Sequence, residues 1–215
     1  RALNCFEKMR SRGVNADSIT YVCGLKACSD LSSLGTGQDI HKDSCIEGFD
    51  RDIFISSALV DMYAKSGLMA DARDVFDELS VQDVVSWTAL IAGYVEYEHE
   101  NEALKCLDQM KGEGITPTVV TFVCILRACG SLRDLNKGLE LHHEIELKGF
   151  SDDIVVVNAL IDMYCKCGFL TKAQIIFDKL SIRDSVSWTM LISGLAEHRR
   201  GNEALKCFEQ MQLEG

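Results

Sequence analysis

Ala58-Leu59-Val60-Asp61-Met62-Tyr63-Ala64-Lys65 returns as Ala159-Leu160-Ile161-Asp162-Met163-Tyr164-Cys165-Lys166, 101 positions further along. The same offset carries Val85-Ser86-Trp87-Thr88 onto Val186-Ser187-Trp188-Thr189, and Leu25-Lys26-Ala27-Cys28 onto Leu126-Arg127-Ala128-Cys129. One register held across a chain of 215 residues marks a linear stack of similar units rather than one globular core. In such a stack, function lies on the surface that the units build.

The repeating block divides further. Trp87, Leu90, Ile91 and Tyr94 fall at i, i+3, i+4 and i+7, the apolar face of a helix. Asp83 stands before it as a candidate N-cap. A second helix follows through Ala103, Leu104, Leu107 and Met110 and ends near Gly114, a glycine suited to a left-handed C-cap, as are Gly13 and Gly149. Val75, Phe76 and Leu79, and again Ile176, Phe177 and Leu180, repeat the scheme in shorter units. First helices are expected to begin near Ser18, Ile53, Val84, Val119, Ile154 and Ser185, at intervals of 35, 31, 35, 35 and 31 residues. The expected units are a partial standard unit (1–17), long (18–52), short (53–83), standard (84–118), long (119–153), short (154–184) and a partial standard unit (185–215). The register continues past both ends, as in a window on a longer array. Helices this short are marginal alone and need stacking against neighbours. The fold expected is therefore all-α, a solenoid of antiparallel helix pairs.

Composition agrees. A hydrophobic fraction of 47% with one proline, Pro117, suits helices sandwiched between neighbours. No apolar run is long enough to cross a membrane. Among the ten cysteines, Cys23 and Cys124, Cys28 and Cys129, and Cys106 and Cys207 recur at equivalent positions, the behaviour of small packing residues. They read as reduced thiols of an intracellular compartment. Cys165 and Cys167 could supply half a metal site, but the earlier copy holds Ala64 and Ser66 there, so no metal is expected. A net charge of −11 opposes a generic nucleic-acid binder.

The stretches Val84-Val85-Ser86-Trp87-Thr88-Ala89-Leu90-Ile91, Asn101-Glu102-Ala103-Leu104 and Gly114-Ile115-Thr116-Pro117 resemble pentatricopeptide (PPR) repeats. The alternating lengths resemble the plant PLS subclass, of the RNA editing-factor type. Its long form matches Leu126-Arg127-Ala128-Cys129 with Gly138-Leu139-Glu140-Leu141-His142. Its short form matches the run from Asn158 to Gly168. The resemblance implies a right-handed superhelix whose first helices line a concave surface. It also implies sequence-specific binding of single-stranded RNA, one base per repeat, within a mitochondrial or plastid RNA-processing factor that specifies C-to-U editing sites, with editing-complex proteins as further partners. In the family a base is selected by the fifth and last residues of each motif. Carried over, these are Val22 with Asp52, Ser57 with Asp83, Thr88 with Thr118, Val123 with Asp153, and Asn158 with Asp184. Asp17 and Thr189 are each left with one member of the pair. The family's base clamps fall on Ile19, Phe54, Val85, Val120, Val155 and Val186. The family pattern reads Asn158/Asp184 as uracil and Ser57/Asp83 as guanine. Thr118 departs from the usual Asp or Asn, and Val22 and Val123 cannot hydrogen-bond a base.

Other readings stand beside this one. Asp17, Asp52, Asp83, Asp153 and Asp184 each precede a helix, where Asp caps with or without RNA. Phase favours a ligand face: Val85, Thr88 and Ala92, Phe54, Ser57 and Asp61, and Val155, Asn158 and Asp162 form stripes at i, i+3, i+7, offset from the Trp87 face. His142-His143-Glu144 spells the H-x-E of zinc deaminases, but no C-x-x-C occurs, and His142 occupies the packing position of His41. With no phosphate loop and no nucleophile motif, the chain is expected to be no enzyme and to take no cofactor or small-molecule substrate. The alternative function is an acidic helical-repeat scaffold that binds protein partners, for which a uniformly acidic groove would speak.

Overall fold

The computed structural model describes residues 2–49 and 52–214, and all regular structure among them is α-helical. The chain divides into two units, Arg1–Pro117 and Thr118–Gly215. The first holds α1 (Ala2–Ser11), α2 (Ser18–Asp30), α3 (Leu34–Ile46), α4 (Ile53–Lys65), α5 (Met69–Asp77), α6 (Val84–Glu96) and α7 (Glu100–Gly112). The second holds α8 (Val119–Leu132), α9 (Leu135–Leu147), α10 (Ile154–Lys166), α11 (Leu170–Asp178), α12 (Ser185–Glu197) and α13 (Gly201–Glu214). The even-numbered helices are the first helices of the expected pairs, and all six begin at the expected residue.

Short turns fold each second helix back on its first. Within the first unit α2, α4 and α6 lie side by side, and within the second α8, α10 and α12 do the same. The middle helix of each row is covered on several faces: Ile55 to Val60 of α4 and Val156 to Ile161 of α10 are buried without a break. The high apolar fraction is thus spent on helices with neighbours on both sides. The ends follow local chemistry. The amide of Gly114 (φ +77°) bonds Lys111 O and that of Ile115 bonds Met110 O, the paired closure that a left-handed glycine permits.

The 101-residue register is also a register of contacts. Phe76 meets Trp87 edge to face at 4.5 Å between ring centroids, and Phe177 meets Trp188 at 4.6 Å. His41 Nδ1 hydrogen-bonds Tyr63 Oη at 2.9 Å, tying α3 to α4, and His142 Nδ1 bonds Tyr164 Oη at 2.7 Å, tying α9 to α10. His142 is therefore a packing residue on the geometry shown, as its match with His41 suggests.

Burial lowers the pKa of both histidines below 6.5, against the opposing pull of Glu78 and Asp71 on His41 and of Glu146 on His142, while Lys172, Lys179 and His143 lower that of His142 further. A depressed histidine pKa means the unfolded chain binds more protons than the folded one. Stability is then fully present above pH 6.5 and is lost as pH falls through that value toward the folded pKa. Thermal melts between pH 7.5 and pH 5.5 should show Tm falling with pH, and the fall should be shallower in His142→Gln. An identical slope in the variant would exclude this cause.

All ten cysteines are free. Cys28, Cys106, Cys124, Cys129, Cys165 and Cys207 are buried, and burial raises the thiols of Cys106 to about 11 and of Cys129 and Cys165 to about 12. Cys23 departs from the expectation of a packing role. It is exposed, whereas Cys124 and Ala58, at the same position of α8 and α4, are buried.

Candidate nucleic-acid interface

The second residue of each first helix is the feature that sequence alone leaves undecided, since valine and isoleucine there would be ordinary core. The structure exposes all six. Relative exposure runs from 45% at Val186 through Val155, Val120, Val85 and Phe54 to 73% at Ile19. The next residues in chain order on five of these helices, Ile55, Ser86, Thr121, Val156 and Ser187, are fully buried. Helical phase explains the contrast: one residue turns the side chain by about a quarter of a circle, from a packed face to an open one. Each unit thus presents a row of three bare apolar side chains, Ile19, Phe54 and Val85 in the first and Val120, Val155 and Val186 in the second.

One turn further along lie the fifth-position residues. Val22, Thr88 and Val123 are half-buried and Thr189 is exposed, its Oγ1 donating to Ser185 O at 2.6 Å. Ser57 and Asn158, which are equivalent positions, are 6% and 8% exposed, yet Ser57 Oγ and Asn158 Oδ1 have no hydrogen-bond partner. Buried polar atoms without partners are uncommon and demand a cause. Asn158 Nδ2 donates to Asp184 Oδ1 at 3.4 Å, which turns the amide so that its oxygen is the unengaged end.

The last-position residues all cap helices. Asp17 Oδ1 accepts from the Thr20 amide, Asp52 Oδ1 from Phe54 and Ile55, Asp83 Oδ1 from Val85 and Ser86, Asp153 Oδ1 from Val155 and Val156, and Asp184 Oδ1 from Ser187. Thr118 caps α8 through a reciprocal pair with Thr121. The amide of Ser187 is the main cause that holds the Asp184 carboxyl below its ordinary pKa, so it stays an ionised acceptor. Capping thus accounts for these aspartates whatever else they do. The structure brings Asn158 to Asp184 and leaves Ser57 without a bond to Asp83. It adds a partner that spacing does not suggest: Ser18 Oγ donates to Asp52 Oδ2 at 2.7 Å across to the next first helix. A hydroxyl recurring at the first residue of a helix is the only sequence signal for it.

Charge is segregated. The first helices carry Asp30, Asp61, Glu96, Asp162 and Glu197 against Lys26, Lys65, Arg127 and Lys166, close to balance. The second helices carry much of the acidic excess, as in α5 with Asp71, Asp74 and Asp77 against Arg73. No helix among the described residues is long and apolar enough to cross a membrane.

Comparison with known proteins agrees with this architecture. The PPR repeat model matches residues 54–84, 120–150, 155–183 and 186–215, and the PPR repeat family model matches residues 82–131. A pentatricopeptide repeat-containing protein of Arabidopsis thaliana is 42% identical over 214 residues, covering 100% of this chain and 29% of the relative. Two others from that plant, one named chloroplastic and one mitochondrial, are 40% and 35% identical, over 98% and 100% of this chain and 26% and 33% of their own. The chain therefore spans about three-tenths of the length of these relatives. The pentatricopeptide repeat protein PPR10 in complex with an 18-nt psaJ RNA element superposes with a TM-score of 0.83 at 24% identity, over 98% of this chain and 32% of that one. The maize PPR10 crystal structure gives 0.62 at 22% identity, over 98% and 31%. With helix pairs in the expected register and repeat matches over more than half its length, the chain belongs to the PPR repeat family.

Proposed function

We propose that this chain binds single-stranded RNA in a sequence-directed way, one base per helix pair, as a PLS-type part of an organellar factor that specifies C-to-U editing sites. The observation that carries this reading is the recurrence of an orphaned buried oxygen, Ser57 Oγ and Asn158 Oδ1, beside exposed apolar side chains. An unsatisfied buried polar group costs about 1–3 kcal/mol, and a ligand that supplies the missing bond relieves it. Bare valines, an isoleucine and Phe54 suit the faces of unstacked bases. In this reading Ile19, Phe54, Val85, Val120, Val155 and Val186 clamp bases. Selection falls to Ser57/Asp83, Thr88/Thr118 and Asn158/Asp184, with Asp17 and Thr189 each supplying one member of a pair. Val22/Asp52 and Val123/Asp153 discriminate little.

The amide of Asn158, held by Asp184, offers an acceptor to the imino N–H of uracil. The Ser57 hydroxyl both donates and accepts and is read as meeting guanine. The PLS assignment rests on the 35, 31, 35, 35, 31 spacing. The organellar location rests on relatives named chloroplastic and mitochondrial. Any deamination would be the work of another domain or of a partner protein. The near-neutral first helices favour RNA over the scaffold reading, in which acidity would line the groove.

Fluorescence anisotropy of the chain with short RNAs tests this directly. RNAs carrying G opposite Ser57/Asp83 and U three bases later opposite Asn158/Asp184 should bind best. Each base swap should weaken binding by about tenfold, within the range of a base-edge hydrogen-bonding pair. Ser57→Ala should erase the preference at the G position alone. Equal binding of all sequences, or none, would remove the base code, and none would favour the protein-docking alternative.

A further inference from the structure

We propose that the long helix pairs, whose base-facing positions are Val22 and Val123, hold RNA by its phosphodiester backbone through Lys26 and Arg127. The inference rests on the RNA reading above and assigns these pairs a task within it. Ile19, Val22 and Lys26 of α2, and Val120, Val123 and Arg127 of α8, lie at i, i+3 and i+7 on one helix face, and both cations are exposed. One helical turn, about 6 Å, separates the valine from the cation, and a base and its own phosphate lie a comparable distance apart.

Three observations single these cations out. The corresponding positions of the other first helices hold Asp61, Ala92, Asp162 and Ser193, so a cation there is confined to the long pairs. Lys65 and Lys166, the other cations of the first helices, sit in last turns, where the helix end itself favours positive charge. Lys26 and Arg127 lie outside the last turns of α2 and α8, so that cause does not apply. A valine cannot discriminate bases, and a cation contacting phosphate ignores them. Long pairs would then supply affinity where short and standard pairs supply choice.

Salt dependence of RNA affinity is the test, measured on the whole chain as wild type, Lys26→Gln, Arg127→Gln and the double variant. Each phosphate contact contributes about 0.7 to the slope of log K against log salt for single strands. The slope should become shallower by about 0.7 per substitution and about 1.4 in the double variant. Affinity at 0.1 M salt should fall about fivefold per contact, equally for the G…U RNA and its base-swapped versions. Lys26→Arg and Arg127→Lys should keep the wild-type slope, and melts should show every variant folded at the assay temperature. An unchanged slope in the double variant, or an equal loss in the charge-preserving variants, overturns the inference alone. Failure of the wild type to bind RNA overturns the RNA reading with it.

Discussion

Gly194→Ala is expected to destabilise the second unit by about 2–3 kcal/mol, lowering Tm by about 5–10 °C. Gly194 of α12 is buried where α12 meets α10, and a Cβ built there would overlap both Cβ and Sγ of Cys165. The thiol could rotate away, but the Cys165 Cβ is fixed to its backbone, so the two helices would have to separate. Overpacking of that kind exceeds the gain of about 1 kcal/mol that alanine brings to a helix interior. The first unit repeats the contact: a Cβ on Gly93 would lie 2.6 Å from the Ala64 Cβ. Gly112 of α7 is the control, since a Cβ there meets nothing within 4 Å. Gly112→Ala should be neutral or stabilising by up to about 1 kcal/mol. Cys165→Gly in the Gly194→Ala background should recover part of the loss by removing the obstructing Cβ. Equal melting of Gly194→Ala and Gly112→Ala would mean that α12 moves away from α10 at little cost.

Asn158→Ala is expected to separate stability from binding. The substitution deletes an acceptor buried without a partner, and it also deletes one long hydrogen bond to Asp184. These effects oppose each other, so unfolding free energy should change by less than about 1 kcal/mol. Asp184 keeps its cap on α12 through Ser187. The preference for uracil at the corresponding base, in contrast, should fall by about tenfold or more. A residue retained for packing would behave in the opposite way, with stability lost and binding unchanged. Denaturant melts and anisotropy on one preparation distinguish the two.

Ser57 and Asn158 show where reading a sequence stops. Their helix, its starting residue and their place on an offset stripe all follow from periodicity, because an α-helix sets side-chain direction by spacing alone. That their oxygens lack partners depends on what α2, α6, α8 and α12 bring against them, and no local pattern records it. The clamp positions repeat the lesson. Val85 and Val155 have the composition of core residues, and only the placement of neighbouring helices leaves them bare. Cys23 fails in the other direction: its equivalence to Cys124 predicts packing, but its side chain is exposed.

By itself the sequence determined what is local and repetitive: thirteen helices over the described residues, their starts at capping residues, the 101-residue register, and the glycines that end α7 and α9. Caps, phase and left-handed turns depend on residues a few positions apart, so they are written in order along the chain. The tertiary structure alone decided which faces are covered: the bare row of each unit, the orphaned oxygens of Ser57 and Asn158, the glycine notch beneath Cys165, and the His–Tyr ties between helices. Burial is a property of neighbours, and in a stack each neighbour comes from the next unit, some thirty residues away.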